Sequence, residues 1–531
     1  PVAPYPPEPE AIYHDGQIVM RPGSHLNVNG RAYFANHSSI DVGLNTLNIS
    51  GDTWFKNGSS YALERTASAS GKIEIGGVTH IGDDVRVFMT GSNVVNANNN
   101  VILSSAGGFA DANVFVNPLF DLEISGNDMI IGDFKGSGTI IELAGGMASV
   151  GISPNVIHIS MLIDSIFSSG DSLVLQAQLI DTLSAIDALS STGHAAEAAI
   201  AVRQLIGEGV LPIINAGVEN VHQVRSALGT RMGSVRNFSF APSAGSGDAG
   251  SRVWAAGFGA WAKQKDADGF FGYKYGSRGV LLGFDHELAA VPGLTLGINA
   301  SISNGEMKNN GYYSETDIDT FGLGIYGMYE AANGFFVEGN LGISWSENRM
   351  ETKSVLTGAM RKADFDAKTF QAGLNFGYTF RPADNVHLVP TVGLQYIRIK
   401  QDGWQERLSD PNLPDIPAHW FGDSKRDFLE VPVSLKLEST HRIGSVTVTP
   451  EVHVGAVFTV NDPKSSMRMG FVGSDSSMSL VGIDSGKSRF QAGAGVKIQA
   501  TDLVDIFASY ELETRSKYTS QYAHLGVGFS F

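Results

Sequence analysis

Apolar and polar residues alternate one for one through the second half of the chain. In "LTLGINASIS", Leu294, Leu296, Ile298, Ala300 and Ile302 share one parity, and Thr295, Gly297, Asn299, Ser301 and Ser303 the other. "KTFQAGLNFGYTF" sets Phe370, Ala372, Leu374, Phe376, Tyr378 and Phe380 against Gln371, Gly373, Asn375, Gly377 and Thr379. "DFLEVPVSLKLES" sets Leu429, Val431, Val433, Leu435 and Leu437 against Glu430, Pro432, Ser434, Lys436 and Glu438. The chain ends the same way, with Leu525, Val527, Phe529 and Phe531 opposite His524, Gly526, Gly528 and Ser530. Side chains of a β-strand alternate between its two faces, so each segment predicts a strand with one apolar and one wet face.

About twelve such segments run from Arg252 to Phe531, an even number. Their connections alternate between short ones such as "PADN" and "ANG" and long ones such as "QDGWQERLSDPNLPDIPAHWFGDSK". This predicts an antiparallel transmembrane β-barrel, with short turns on one side of the membrane and long loops on the other. A soluble β-sandwich also alternates. Against it stand segments longer than ten residues, wet faces carrying Gly, Ser and charges, and aromatics recurring near strand ends as in an interfacial girdle. A terminal Phe531 is then lipid-facing, and a closed barrel has no edge to protect.

The first 154 residues follow another rule. "HLNVNG" (25–30), "TLNISG" (46–51) and "KIEIGG" (72–77) write one motif three times, 21 and 26 residues apart. Periods of this size predict stacked coils, here a right-handed parallel β-helix. Between 155 and 236 the apolar spacing changes to three and four, which predicts helices. The linker "APSAGSGDAG" then leads into the first strand. The expected units are therefore 1–154 (β-helix), 155–251 (helical region and linker helix) and 252–531 (barrel). A helix directly before a barrel can lie in its lumen, where Arg225, Arg231 and Arg236 would meet inward carboxylates among Asp285, Glu287, Glu430, Glu451, Asp505 and Glu511.

Composition narrows the function. A net charge of −17 argues against nucleic acid as a partner. The chain has no cysteine, which excludes a disulfide framework, a thiolate metal site and a catalytic thiol, and suits a chain that crosses an oxidising periplasm unfolded. Pro1 follows no Met and no basic-then-apolar leader, so either a signal peptide has been removed or the sequence is a fragment. "GDSL" (170–173) matches the block carrying the nucleophilic serine of a lipase/esterase family. Ser172 would need an Asp/His pair, and only His194 and His222 lie between it and the barrel. A helix cap by Asp171 and Ser172 is the simpler expectation. "GSGDAG" (245–250) follows a helix, not a strand, and reads as a joint rather than a dinucleotide site.

In this order of parts the sequence resembles the C-terminal portion of a monomeric autotransporter of type V secretion. "QLIGE" (204–208) resembles the family's helical Leu-Ser-Gly-Glu stretch, "ALGTRMGSVRN" (227–237) the stretch before its first strand, and "RVWAAGFGAWA" (252–262) its first strand. "LGVGFSF" resembles the targeting signal read by the barrel-assembly machinery, here Leu525, Val527, Phe529 and Phe531. The resemblance implies a monomeric barrel in a Gram-negative outer membrane, with its passenger exposed at the cell surface. It also implies outer-membrane lipid, periplasmic chaperones and the inner-membrane Sec translocon as partners. No HExxH, P-loop or EF-hand pattern appears, so no cofactor, metal or enzymatic activity is expected, and a β-helix without a catalytic motif is read as an adhesin-like module with a host-cell or surface ligand. A hydrolase-type passenger and a porin-like channel are the alternatives. The protease subgroup of this family releases its passenger through an Asn-Asn pair, and Ser226 and Ala227 stand in that region here.

Overall fold

The computed structural model describes residues 17–531 apart from 35–37, 57–58, 67, 84, 92–99, 118–119, 135–152, 169–172, 192, 239–249, 410–415, 462–463 and 485. Alternation in the second half yields twelve long strands: β1 (Ser251–Gln264), β2 (Tyr273–Glu287), β3 (Leu294–Asn309), β4 (Ser314–Glu330), β5 (Phe335–Lys353) and β6 (Met360–Tyr378), then β7 (Val386–Gln401), β8 (Ser424–Ser439), β9 (Val446–Thr459), β10 (Ser488–Gln499), β11 (Val504–Arg515) and β12 (Tyr518–Ser530). Each pairs antiparallel with its neighbours in sequence. β1 also pairs with β12, from Arg252 opposite Ser530 to Gln264 opposite Tyr518, and this closes the ring.

The outward parity is apolar along the whole wall. Leu296, Ile298, Ile302, Leu323, Ile325, Leu341, Ile343, Leu394, Leu435 and Val454 are all exposed there. Toward the end with short turns the band finishes in Tyr329, Phe335, Tyr378, Phe380 and Phe529, and toward the other end in Trp261, Phe321, Trp345 and Phe490. Aliphatic side chains between two aromatic belts are the surface a bilayer solvates. Among the described residues no helix is long and apolar enough to cross a membrane, so the strands are the spanning elements. Long connections, 402–423 and 460–487, leave one rim, which is the extracellular one by this asymmetry.

Four α-helices precede the barrel among the described residues: α1 (Asn155–Ser168), α2 (Leu173–Ser191), α3 (Ala195–Ile206) and α4 (Ile213–Phe238). Before them, short strands visit three faces in rotation. One face stacks Leu26–Val28, Thr46–Ile49, Lys72–Ile75 and Val101–Ser105 in parallel, with Leu26, Leu47, Ile73 and Leu103 in register. The inward residues of these rungs, such as Leu47, Ile73, Tyr61 and Val87, are fully buried. The parallel winding ends earlier than the repeats suggest. Phe120–Ser125 and Asp128–Phe134 form an antiparallel hairpin on the last rung. Gly126, at φ +67°, makes its turn, a conformation open to glycine at little cost. α2 lies along the strand Arg86–Gly91, where Arg86 Nη1 bonds Asp187 at 3.1 Å.

Candidate functional site

The barrel lumen is the place where the inward parity must be satisfied, and α4 satisfies it. Its 26 residues give a rod of about 39 Å at 1.5 Å per residue, long enough for a hydrocarbon core of about 30 Å. Ile213 starts at the extracellular rim, where Asn215 Nδ2 donates to the Tyr273 hydroxyl at 3.1 Å. The helix bonds opposite walls on its way to the periplasmic end.

Midway, Asn220 Nδ2 donates to Ser303 Oγ at 2.9 Å, and Ser277 Oγ donates to Gln223 Oε1 at 2.9 Å. Tyr522 donates to Glu219 at 2.7 Å, and Tyr518 donates to the same carboxylate. His222 Nε2 lies 3.2 Å from Glu430, which also takes Arg489 at 2.6 and 2.9 Å. Lower down, Arg231 forks between two strands. Its Nε is 3.0 Å from Asp285 Oδ2 on β2, and its Nη1 is 2.7 Å from Asp505 Oδ2 on β11. Tyr326 donates to Asp285 at 2.9 Å and accepts from Trp254 Nε1 at 2.7 Å. Gly283 leaves room for that indole, because a Cβ there would lie 2.2 Å from the Trp254 ring. Arg236 reaches Glu438 at 3.3 Å and Glu338 at 3.6 Å. Lys497, fully buried, holds Glu438 and Glu451 at 2.9 Å each.

Fixed ion pairs on opposite walls make α4 a core for the barrel. They also commit the groups that a catalytic or conducting lumen would leave free. Of the three arginines singled out from sequence, Arg231 and Arg236 meet carboxylates. Arg225 instead donates to the amide oxygen of Gln395 at 2.7 Å. Glu287 pairs with Arg252 at 3.7 Å and Glu511 with His453 at 3.2 Å, so neither contacts α4 through these bonds. Leu525, Phe529 and Phe531 are exposed on the outward face of β12, with Val527 half-buried between them. The Phe531 amide donates to Ser251 O at 2.9 Å, which ties the chain end to the first strand. The expected cap at Asp171 and Ser172 lies outside the described residues, as does nearly all of the Gly245–Gly250 joint.

Sequence reasoning missed the rim. Trp404–Gln405, His419–Phe421, Ser466–Phe471 and Met478–Val481, all within the two long loops, form a four-stranded sheet above the barrel. α1 and α3 pack on it, and one buried apolar cluster runs from Val87 of the coil through Leu183, Ile163 and Leu205 to Phe421 and Met469.

Comparison with known proteins agrees with this geometry. Residues 253–511 match the family model described as the autotransporter β-domain. Outer membrane protein B of Rickettsia prowazekii is 24% identical over 344 residues, covering 60% of this chain and 20% of that protein. An extracellular serine protease of Serratia marcescens is 27% identical over 213 residues, 39% of this chain and 19% of that protein. The chain thus spans about a fifth of the length of the curated relatives it matches. The translocator domain of NalP from Neisseria meningitidis aligns with 59% of this chain and 98% of its own, at 16% identity and a TM-score of 0.44.

Proposed function

Since the chain is an outer-membrane autotransporter, with its β-domain at residues 253–511, we propose that it displays the N-terminal coil on the cell surface as a permanently tethered, non-enzymatic interaction module. The observation that carries this is α4. It runs unbroken from the extracellular rim to the periplasmic end, held by Arg231 to Asp285 and Asp505 on one wall and by Arg236 to Glu338 and Glu438 on the wall across from it. On this reading residues 1–154 are the displayed unit, 155–251 the connection and 252–531 the translocator. The Sec translocon, periplasmic chaperones and the barrel-assembly machinery deliver the chain. An adhesin-like role toward a host-cell or surface ligand suits a polar-faced coil.

Retention follows from chemistry. Ser226 and Ala227 stand where the self-cleaving subgroup carries its Asn-Asn pair, and a buried peptide bond without a cyclising amide has no route to scission. Ala227 is fully buried beside Leu228 and the Trp254 cluster. His222 is engaged with Glu430 and Arg489 rather than poised beside a serine. Outer membranes from a protease-deficient host should give a single full-length band on a denaturing gel, and protease added to intact cells should clip its N-terminal part. A barrel-sized fragment beginning between Val224 and Arg231 would refute retention.

Leu525, Val527, Phe529 and Phe531 are proposed as the signal for barrel assembly, because they form an exposed apolar row ending at the closing seam. Phe531→Asp should sharply reduce the heat-modifiable, membrane-inserted form. At this interfacial depth the charge itself costs no more than about 1 kcal/mol, so a sharp loss reads out the signal rather than lipid exclusion. Undiminished insertion would remove this role.

A further inference from the structure

The barrel needs only α4 to fill its lumen, yet a second unit sits on its mouth with specific polar contacts. Gln204 Nε2 donates to Tyr312 O and Lys353 O, each at 2.8 Å, and its Oε1 accepts from the Val355 amide at 3.0 Å. Asn155 pairs with the backbone of Val481 in both directions at 2.9 Å. The Glu208 carboxylate, 1% exposed, accepts from Asn155 Nδ2 at 3.0 Å, from the Tyr312 hydroxyl at 3.0 Å and from Ser153 Oγ. Asn309 Nδ2 donates to Gly209 O at 2.7 Å, and His419 Nε2 bonds Leu205 O at 2.9 Å. These contacts tie the cap to four of the connections on this rim: through loop backbone at 310–313, 354–359 and 460–487 or their edges, and through the His419 side chain, which reaches cap backbone, at 402–423. Gly207 sits among them at φ +77°, with Phe421 Cζ 3.3 Å and Met469 Cε 3.4 Å from where a Cβ would be. A side chain at 207 would face both strain and a closed wall.

We propose that these extracellular loops form a docking seat for residues 153–212, with Gln204, Glu208 and Asn155 as its positioning residues, and that seating locks the emerged chain on the outer side of the barrel. The proposal rests on the surface-display reading above. The three-helix unit can meet these loops only after it has left the pore. Once folded it is wider than a lumen that admits one helix, so each seated contact opposes return. The contacts are mutually dependent, because a buried polar group left without its partner carries a desolvation penalty. Cap and loops should therefore open together.

The seat carries a signature that packing alone would not. Burial pushes the Glu208 carboxyl up from 4.5 to about 7, against the opposing pull of Asn155, Arg203 and Tyr312. Arg203 on α3 and the Tyr312 phenol are the ionisable groups facing it. Burial would also raise Glu406 nearby, but His419 and Arg361 hold it at about 2, so it does not titrate between pH 4.5 and 7. In that window the undocked Glu208 releases a proton that the docked one keeps, so docking weakens as pH rises and levels off above about 7.

The test is hydrogen exchange on the full-length chain in outer-membrane vesicles at pH 5 and pH 8, corrected for intrinsic rates, with protease shaving of intact cells alongside. In the wild type, amides of 155–210 and of the seat at 310–313, 354–359 and 478–481 should be on the order of 50–100-fold better protected at pH 5. Glu208→Gln keeps the shape and should flatten that difference. Gln204→Ala should speed exchange about tenfold in cap and seat together at either pH, leaving β1 to β12 unchanged. A cap that loosens while the loops stay protected, or a pH dependence that survives Glu208→Gln, overturns the seat. Should Gln204→Ala fail to reach the membrane, the Glu208→Gln comparison still decides. Failure of protease to reach the coil in any variant would instead count against surface display.

Discussion

Arg231→Met should destabilise the folded barrel by about 3–5 kcal/mol, the cost of stranding a buried charge whose partner has gone. Asp285 and Asp505 are almost fully buried on strands that lie on either side of β1 and β12, and Arg231 lies between them. Without the guanidinium the two carboxylates face each other's charge across the gap it bridged, and Asp285 keeps only the Tyr326 hydroxyl at 2.9 Å and Arg252 at 3.5 Å. Arg231→Lys should recover only part of the loss, because a single ammonium cannot fork to both strands as a planar guanidinium does. Adding Asp285→Asn and Asp505→Asn to Arg231→Met should recover more than Lys does. The measurement is the temperature at which the heat-modifiable form is lost on a gel. An unchanged temperature in Arg231→Met would mean that the ion triad does not hold α4 in the barrel.

The second large effect concerns the lumen as a conduit. Removal of residues 1–250 takes Arg225, Arg231 and Arg236 away together with the helix that fills the bore. The walls then present Asp285, Asp505 and Glu338 to water with fewer cations to balance them. The vacated barrel should conduct, and it should prefer cations, as acidic rings in pores do.

Much of the barrel was legible because a wall between lipid and a polar lumen writes period two over twelve segments. No local ambiguity survives that many repeats. The inward carboxylates could be listed by parity, but their partners could not, because pairing depends on helix rotation inside the ring. Thus Arg231 meets Asp285 and Asp505, whereas Arg225 meets Gln395. Direction is likewise invisible to parity. The hairpin Phe120–Phe134 carries the same alternation as the parallel rungs before it, and only "SGND" around Gly126 marked the reversal. The rim sheet was hidden for a different reason. Its strands are two to six residues long and sit in loops rich in Pro, Asp and Ser, so their order comes from packing under α1 and α3 rather than from local pattern. Glu208 lay in a stretch singled out by resemblance alone, and its burial under Tyr312 gives that stretch a physical role.

The central claim is that the chain's own helix threads and closes the barrel that carries it. Planar-bilayer recording of the intact protein beside the variant beginning at Ser251, both verified as heat-modifiable barrels, addresses it directly. The intact protein should show little or no stepwise current, and the shortened one a resolved, cation-preferring step. Equal open steps from both, with no change in ion preference, would contradict it.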